Sequence, residues 1–232
     1  MRNGRRFLER FWQTDWSLSA LLVLILVDTF VTAPLLQSRD TTGVLLFQLS
    51  IFSVFLLSGV AFAFRNPALT AMVGAFAAGA FLVRWTNHFH PNSSLARIES
   101  GLSLVFCVLL GAVILIQVLR SGPINAQRIQ GAVALYLLLA RVWTFAYVLV
   151  ALGDSRAFSF PAEGLHPQVL HARLLYFSIM TLTTVGYGDI TPVNPIAGSL
   201  AALEGMIGQL FPVLLLARLV SMELYHQQQR GR

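Results

Sequence analysis

The chain has little charge and a single cysteine, and each of these shortages excludes a class of protein or of site. Charged residues make up 11% of the 232 residues, whereas a soluble globular domain has about 25%. Cys107 alone cannot form an intrachain disulfide or a cysteine-rich metal site. Because hydrophobic residues account for 56% of the chain, we interpret it as an integral membrane protein. The sequence contains no nucleophile–base pattern, phosphate-binding loop or set of metal ligands, so we expect neither an enzyme nor an organic cofactor.

All 16 basic residues are arginines, and the formal net charge is +6. In a soluble protein this charge would suggest a nucleic-acid partner, but arginines at the ends of membrane spans meet anionic headgroups. We therefore expect membrane lipids as partners and no nucleic acid. Residues 1–16 combine arginines with aromatic residues, which is typical of a segment that lies on the cytoplasmic surface of a membrane.

Six apolar runs divide the sequence, and most of them reach the roughly 20 residues needed to cross a bilayer. They cover residues 17–36, 44–64, 68–83, 98–119, 129–152 and 196–217. The third run is the shortest and is rich in small residues, which favour close packing of helices. The sequence predicts an all-α membrane protein with six transmembrane helices.

The arginines also predict the orientation of these spans. If the N-terminus is cytoplasmic, ten arginines lie inside and five outside, while Arg141 lies within a span. Arginine near span ends favours the cytoplasmic side. We therefore expect a multi-pass protein of the plasma membrane (the inner membrane of a cell), with both termini in the cytoplasm.

The most distinctive stretch lies between the fifth and sixth runs and reads Thr-Thr-Val-Gly-Tyr-Gly-Asp over residues 183–189. Ion filters can be built from rings of backbone carbonyl groups that replace the hydration shell of an ion. Gly186 and Gly188 give the backbone the freedom to turn consecutive carbonyls toward a pore, and Thr184 adds a hydroxyl oxygen. Residues 170–183 are apolar but too few to cross the membrane with this loop attached. We predict that they form a re-entrant pore helix.

The string from Thr184 to Gly188 resembles the selectivity filter of potassium channels, and the likeness extends from about His171 to Pro192. The resemblance implies a homotetrameric channel, because four such loops are needed to close the ring. It also implies that potassium is the permeant ion. The implied ion-binding residues are Thr184, Val185, Gly186, Tyr187 and Gly188, with carbonyl ligands from the first four.

The same resemblance assigns roles outside the filter. Asp189 would gather cations at the filter mouth and anchor the filter to the pore helix. Some relatives provide a carboxylate partner for this residue at the position that is Met180 here, so that contact is absent. Gly208 is the implied gating hinge of the last helix, and Pro212, which removes a helix hydrogen bond, is a second candidate for a kink.

The chain divides by analogy with six-span potassium channels. Arginines that sense voltage occur at every third position of the fourth span in voltage-gated relatives, but the run 98–119 contains no arginine or lysine. We therefore expect a prokaryotic type whose sensor-like bundle lacks the arginine ladder and which is not conventionally voltage-gated. The predicted parts are an interfacial segment (1–16), a four-helix peripheral bundle (17–119), a linker (120–128), a pore domain (129–220) and a short cytoplasmic tail (221–232).

Three charged residues fall within apolar runs, namely Asp28, Arg141 and Glu204. Charges inside a membrane are costly and usually face a partner or water. Counting a rise of about 1.5 Å per residue places all three at similar depth. We predict that Arg141 pairs with Glu204 or with Asp28, the alternative being three separate groups that reach water. Glu204 has a second interpretation as a residue that lines the cavity and concentrates cations there.

Two alternatives to a potassium-selective channel remain open from the sequence. Selectivity depends on more than five residues, so a less selective cation channel is one of them. The other is a non-conducting membrane receptor or a subunit that modulates other channels. Potassium flux through the purified protein alone would exclude the second.

Overall fold

A computed structural model describes residues 16–32, 67–90, 92–119, 126–161 and 167–230. These residues form six α-helices and one short antiparallel strand pair. The helices are α1 (Trp16–Val27, continued by a π-helical turn, Asp28–Thr32), α2 (Pro67–Phe89), α3 (Ser93–Val118), α4 (Ala126–Gly153), α5 (Pro167–Leu182) and α6 (Pro195–Arg230). The strands are β1 (Phe158–Ser159) and β2 (Thr191–Pro192).

Three helices in the described part of the chain are long and apolar enough to cross a membrane. They comprise residues 93–118, 128–153 and 195–218, which correspond to the predicted fourth, fifth and sixth spans. The predicted second span, 44–64, lies outside the described residues. A mostly helical membrane protein agrees with the sequence, whereas the number of six spans stays a prediction.

Helix boundaries differ from the apolar runs where polar residues continue a helix. The predicted third span ends at residue 83, but α2 continues to Phe89. The predicted cytoplasmic tail begins at residue 221, but α6 continues without a break to Arg230. At the start of α3, Asn92 explains the boundary, since its side-chain oxygen accepts a hydrogen bond of 3.0 Å from the backbone N–H of Ser94. Such a cap satisfies a donor that the first helical turn leaves free.

Helix α4 lies at the centre of the fold, because each of its sides packs into a different hydrophobic core. Leu135, Leu138 and Phe145 belong to a core shared with α1, α2 and α3. Tyr147 and Val148 belong to a second core shared with β1, α5 and α6. The helices that precede α4 therefore pack on the same helix that supports the filter region.

A small clamp joins the segment after α4 to the segment before α6. The strands β1 and β2 pair Phe158 with Pro192 and Ser159 with Thr191. Beside them the Asn194 side-chain amide donates to the Asp154 carboxylate at 2.8 Å. This hydrogen bond, together with one from the backbone N–H of Arg156, lowers the pKa of Asp154 below its ordinary value. The carboxylate therefore keeps its negative charge to a lower pH than a free aspartate does.

Candidate ion pathway

Three aromatic rings packed edge to face brace α5, the predicted pore helix. The ring centroids of Tyr147 and Phe177 lie 5.2 Å apart, and Phe158 lies 5.6 Å from Tyr147 and 5.5 Å from Phe177. Edge-to-face pairs at these distances are favourable beyond the area that they bury. Because the rings come from α4, β1 and α5, they fix α5 against the outer helix and the clamp.

The loop 183–189, which the sequence predicts to be the filter and which is called the filter loop below, follows α5 directly, and all of its residues are exposed in the single chain. Gly186 and Gly188 have φ angles of 50° and 77°, as the sequence predicted for glycines that free the backbone. Thr184 also has a positive φ, of 60°, which is unusual for a β-branched residue. Strain of this kind costs on the order of 1–3 kcal/mol, so Thr184 must be held by its surroundings.

Backbone hydrogen bonds tie the start of the loop to the last turn of the pore helix. The N–H of Thr184 donates to the carbonyl oxygen of Thr181 at 3.0 Å, and that of Gly186 donates to Met180 at 3.1 Å. Met180 offers no carboxylate to Asp189, so the anchoring role assigned to Asp189 stays a prediction.

The base of the filter rests on α6 at Gly208. A Cβ atom at this glycine would lie 2.0 Å from the carbonyl oxygen of Leu182, the last residue of α5. The same oxygen accepts a hydrogen bond of 3.1 Å from the Tyr136 hydroxyl of α4. Gly208 and Pro212 both lie inside one continuous helix, so their role as hinges stays a prediction. The glycine at 208 is required by the close approach of two backbones.

The three charged residues of the apolar runs separate into two sites. Arg141 forms an ion pair with Asp28 and donates to the Thr29 hydroxyl at 3.2 Å. Asp28 and Thr29 both lie in the π-helical turn that ends the first helical segment. The ion pair is buried and joins α4 to this turn. Of the two partners that the sequence allowed for Arg141, the structure brings Asp28 to it and not Glu204.

Glu204 is fully buried between α4, α5 and α6, and it does not face the exposed side of α6. The Tyr147 hydroxyl donates to its Oε2 and the Ser178 hydroxyl to its Oε1, each at 2.5 Å. Ser178 also lies 2.8 Å from the carbonyl oxygen of Ala140. A serine hydroxyl has one hydrogen to donate, so it satisfies either the glutamate or the carbonyl group. The network holds three helices together behind the filter.

Removing the Ser178 hydroxyl should reveal how much this network stabilises the protein. We expect Ser178→Ala to lower the free energy of unfolding by about 1–3 kcal/mol, because a buried carboxylate oxygen then loses its donor. Thermal unfolding of the purified protein would measure the change. Ser103→Ala is the matched control, since the Ser103 hydroxyl is buried without a hydrogen-bond partner in the described part of the chain. Equal losses in both variants would contradict the network.

Comparison with known families bears directly on this region. Residues 135–224 match the family model described as "Ion channel". This match supports an ion channel. The channel segment begins in α4 and ends in α6, so it contains the pore helix, the filter loop and the Glu204 network, but not the peripheral helices.

A curated relative covers a smaller part of the chain. Protein LctB of Geobacillus stearothermophilus is 46% identical over 46 residues, which are 20% of this chain and 34% of that protein. The chain thus matches about a third of the length of this relative. No solved structure matched the chain.

Sequence analysis did not select Tyr147, Ser178 or Gln209, although each contacts a predicted site residue. A signal exists for Gln209, which is the only amide side chain in the run 196–217. Its Nε2 atom donates to the Thr184 hydroxyl at 2.8 Å. Ser178 carries a weaker signal, because a serine in an apolar helix often bonds to its own helix backbone. Tyr147 carries none, because it is one of four aromatic residues in the run 129–152.

Proposed function

We propose that the protein is a potassium-selective channel formed by four identical chains. The observation that carries this proposal is the filter loop with its exposed backbone, placed between two membrane-spanning helices of the ion-channel segment. Irregular backbone at membrane depth is tolerated only where it is buried in protein or lines a water-filled cavity. A single chain gives the loop no such cover, whereas copies arranged around the loop would supply it.

The exposed face of α6 supports the same assembly. Its large apolar side chains are 42–65% exposed in the single chain, and they are Leu203, Met206, Leu210, Val213, Leu214, Leu216 and Val220. The exposed residues continue along the helix from Leu203 to Val220. Copies of α6 around a central axis would cover the part that faces the axis, and lipid would cover the rest.

In the proposed channel, potassium sheds its water and binds between the carbonyl oxygens of Thr184, Val185, Gly186 and Tyr187. Ions would pass by displacement between adjacent sites, which requires binding that is favourable enough for entry and weak enough for exit. Asp189 would attract cations at the mouth. Conduction is passive, both termini lie in the cytoplasm of a plasma-membrane protein, and no basic residue in 98–119 supports conventional voltage gating.

Potassium flux in liposomes tests this function, and Gly186→Ala is the decisive variant. A left-handed backbone costs roughly 1–2 kcal/mol for an L-residue, and the cost is repeated in each chain of the ring. We therefore expect potassium flux to fall on the order of 100-fold or more. The control is Gly198→Ala, because a Cβ meets nothing within 4 Å at either glycine but only Gly186 has a positive φ.

The flux measurements distinguish a potassium channel from a less selective cation channel and from a protein that does not conduct. Potassium flux that exceeds sodium flux, with loss only in Gly186→Ala, is the expected outcome. Equal flux of both ions would indicate a less selective cation channel. A wild-type protein that assembles in the bilayer but passes neither ion, and is not stabilised by potassium, would contradict the channel and favour a receptor or modulatory subunit.

A further inference from the structure

Gln209 on α6 contacts the side chain of Thr184, which would be the innermost ion ligand of the filter loop. Its Nε2 atom lies 2.8 Å from the Oγ1 atom of Thr184, and both residues are exposed in the single chain. The contact is thus made on the open side of the chain, where the ion path would lie, and not in the buried core behind α5.

The position of Gln209 relative to the filter is fixed by backbone atoms. The preceding residue, Gly208, packs against the Leu182 carbonyl so closely that no side chain fits between them. The Tyr136 hydroxyl holds the same carbonyl from α4. The Leu182 carbonyl at the base of the filter is therefore held at a fixed distance from the Cα atom of residue 209. The Gln209 side chain spans the gap from there to Thr184.

The chemistry of the contact determines how Thr184 presents its hydroxyl oxygen. A threonine hydroxyl has two lone pairs and one hydrogen, whereas the amide nitrogen of glutamine only donates. Gln209 therefore occupies one lone pair of Oγ1 and restricts rotation of the hydroxyl, leaving the second lone pair available for a cation. The same bond helps to hold Thr184 at its φ of 60°.

We propose that Gln209 is a positioning residue that sets the cation affinity of the innermost filter site through the Thr184 hydroxyl. This inference rests on the proposed channel function and adds a residue outside the filter loop to it. Four Gln209 side chains, one from each copy, would hold a ring of four hydroxyl oxygens in the geometry that a dehydrated cation requires. Pre-organised ligands bind more tightly because less rotational freedom is lost on binding.

Barium is a suitable probe, because it has nearly the radius of potassium and twice its charge and therefore binds the same oxygen rings for longer. The experiment measures inhibition of potassium flux by barium in liposomes that hold the tetramer. We expect Gln209→Met, which keeps the side-chain length but lacks the donor, to weaken barium inhibition about tenfold, in line with the loss of an ordering hydrogen bond. Gln209→Leu should give the same result if the methionine variant assembles poorly.

Two controls separate positioning from a general structural effect. Gln117→Met makes the same chemical change on α3, outside the matched segment 135–224, and should leave barium inhibition unchanged. Thr184→Ala removes the hydroxyl itself, so in this background Gln209→Met should have no further effect. Such non-additivity is the signature of two residues that act through one contact.

The possible results are distinguishable. Unchanged or tighter barium inhibition in Gln209→Met, or effects of the two substitutions that simply add, would overturn the role of Gln209 and leave the channel intact. A wild-type protein without any barium-sensitive potassium flux would overturn the proposed function and this inference with it. Weaker inhibition that is absent from the Thr184→Ala background would establish the inference.

Discussion

Gly208→Ala is expected to disrupt the packing of the pore segment more than any glycine-to-alanine substitution described above. The new Cβ atom would lie 2.0 Å from the Leu182 carbonyl oxygen and 2.8 Å from its carbon. Because both are backbone atoms, neither can move aside as a flexible side chain would. Overpacking in a core typically costs about 1–3 kcal/mol, and we expect at least the upper end of this range in every chain, with loss of potassium flux. Thermal unfolding and liposome flux would measure both effects.

Gly205→Ala provides the matched control one turn earlier on the same helix. A Cβ atom there would lie 3.9 Å from the Thr181 carbonyl oxygen, which is an ordinary contact, so stability and flux should stay near those of the wild type. The pair of variants also tests the hinge. If Gly208 acts only as a flexible joint, Gly208→Ala should alter opening without lowering the unfolding temperature, and that result would contradict the close-contact explanation.

Breaking the buried ion pair between Arg141 and Asp28 is expected to have the second large effect. Removing one partner leaves a buried charge uncompensated, which costs about 3–5 kcal/mol. We expect Arg141→Met to lower the free energy of unfolding by about this amount and to reduce the yield of folded protein in detergent. The loss should be concentrated where the turn Asp28–Thr32 packs on α4.

The double variant Arg141→Met with Asp28→Asn distinguishes a lost ion pair from a lost side-chain volume. Neutralising Asp28 removes the unpaired charge, so the double variant should recover at least half of the stability lost in Arg141→Met alone. A double-mutant cycle in thermal unfolding measures this coupling. If the two substitutions are additive, the ion pair contributes nothing measurable and the stabilising role assigned to Arg141 fails.

The filter was the part of the molecule most accessible from the sequence, because a run of consecutive residues forms it. The string 183–189 between two apolar runs predicted a loop after a short helix, and α5 with its exposed loop agrees with that prediction. The positive φ of Thr184 was not predictable in this way. Thr184 also bonds to Gln209, which lies 25 residues further along the chain, and no local pattern indicates that contact.

The partners of the intramembrane charges show what sequence alone could not provide. Counting residues gave Asp28, Arg141 and Glu204 a similar depth in the membrane. Similar depth alone allowed Arg141 to pair with either acidic residue. Depth along a helix says nothing about which side of the helix a residue occupies. On α4, Arg141 faces the π-helical turn after α1, whereas Tyr147 faces Glu204 on α6. Only the packing of α4 between two cores separates these sites.

The continuity of α6 gives the contact at Gly208 a mechanical consequence. From Gly208 to Arg230 the helix extends for about 33 Å at its usual rise per residue, and it is unbroken over this length. If this segment tilted as one body about the contact at Gly208, a tilt of about 10° would move its far end by about 6 Å. A force applied at that end would act on the filter loop through the contact between Gly208 and the Leu182 carbonyl group.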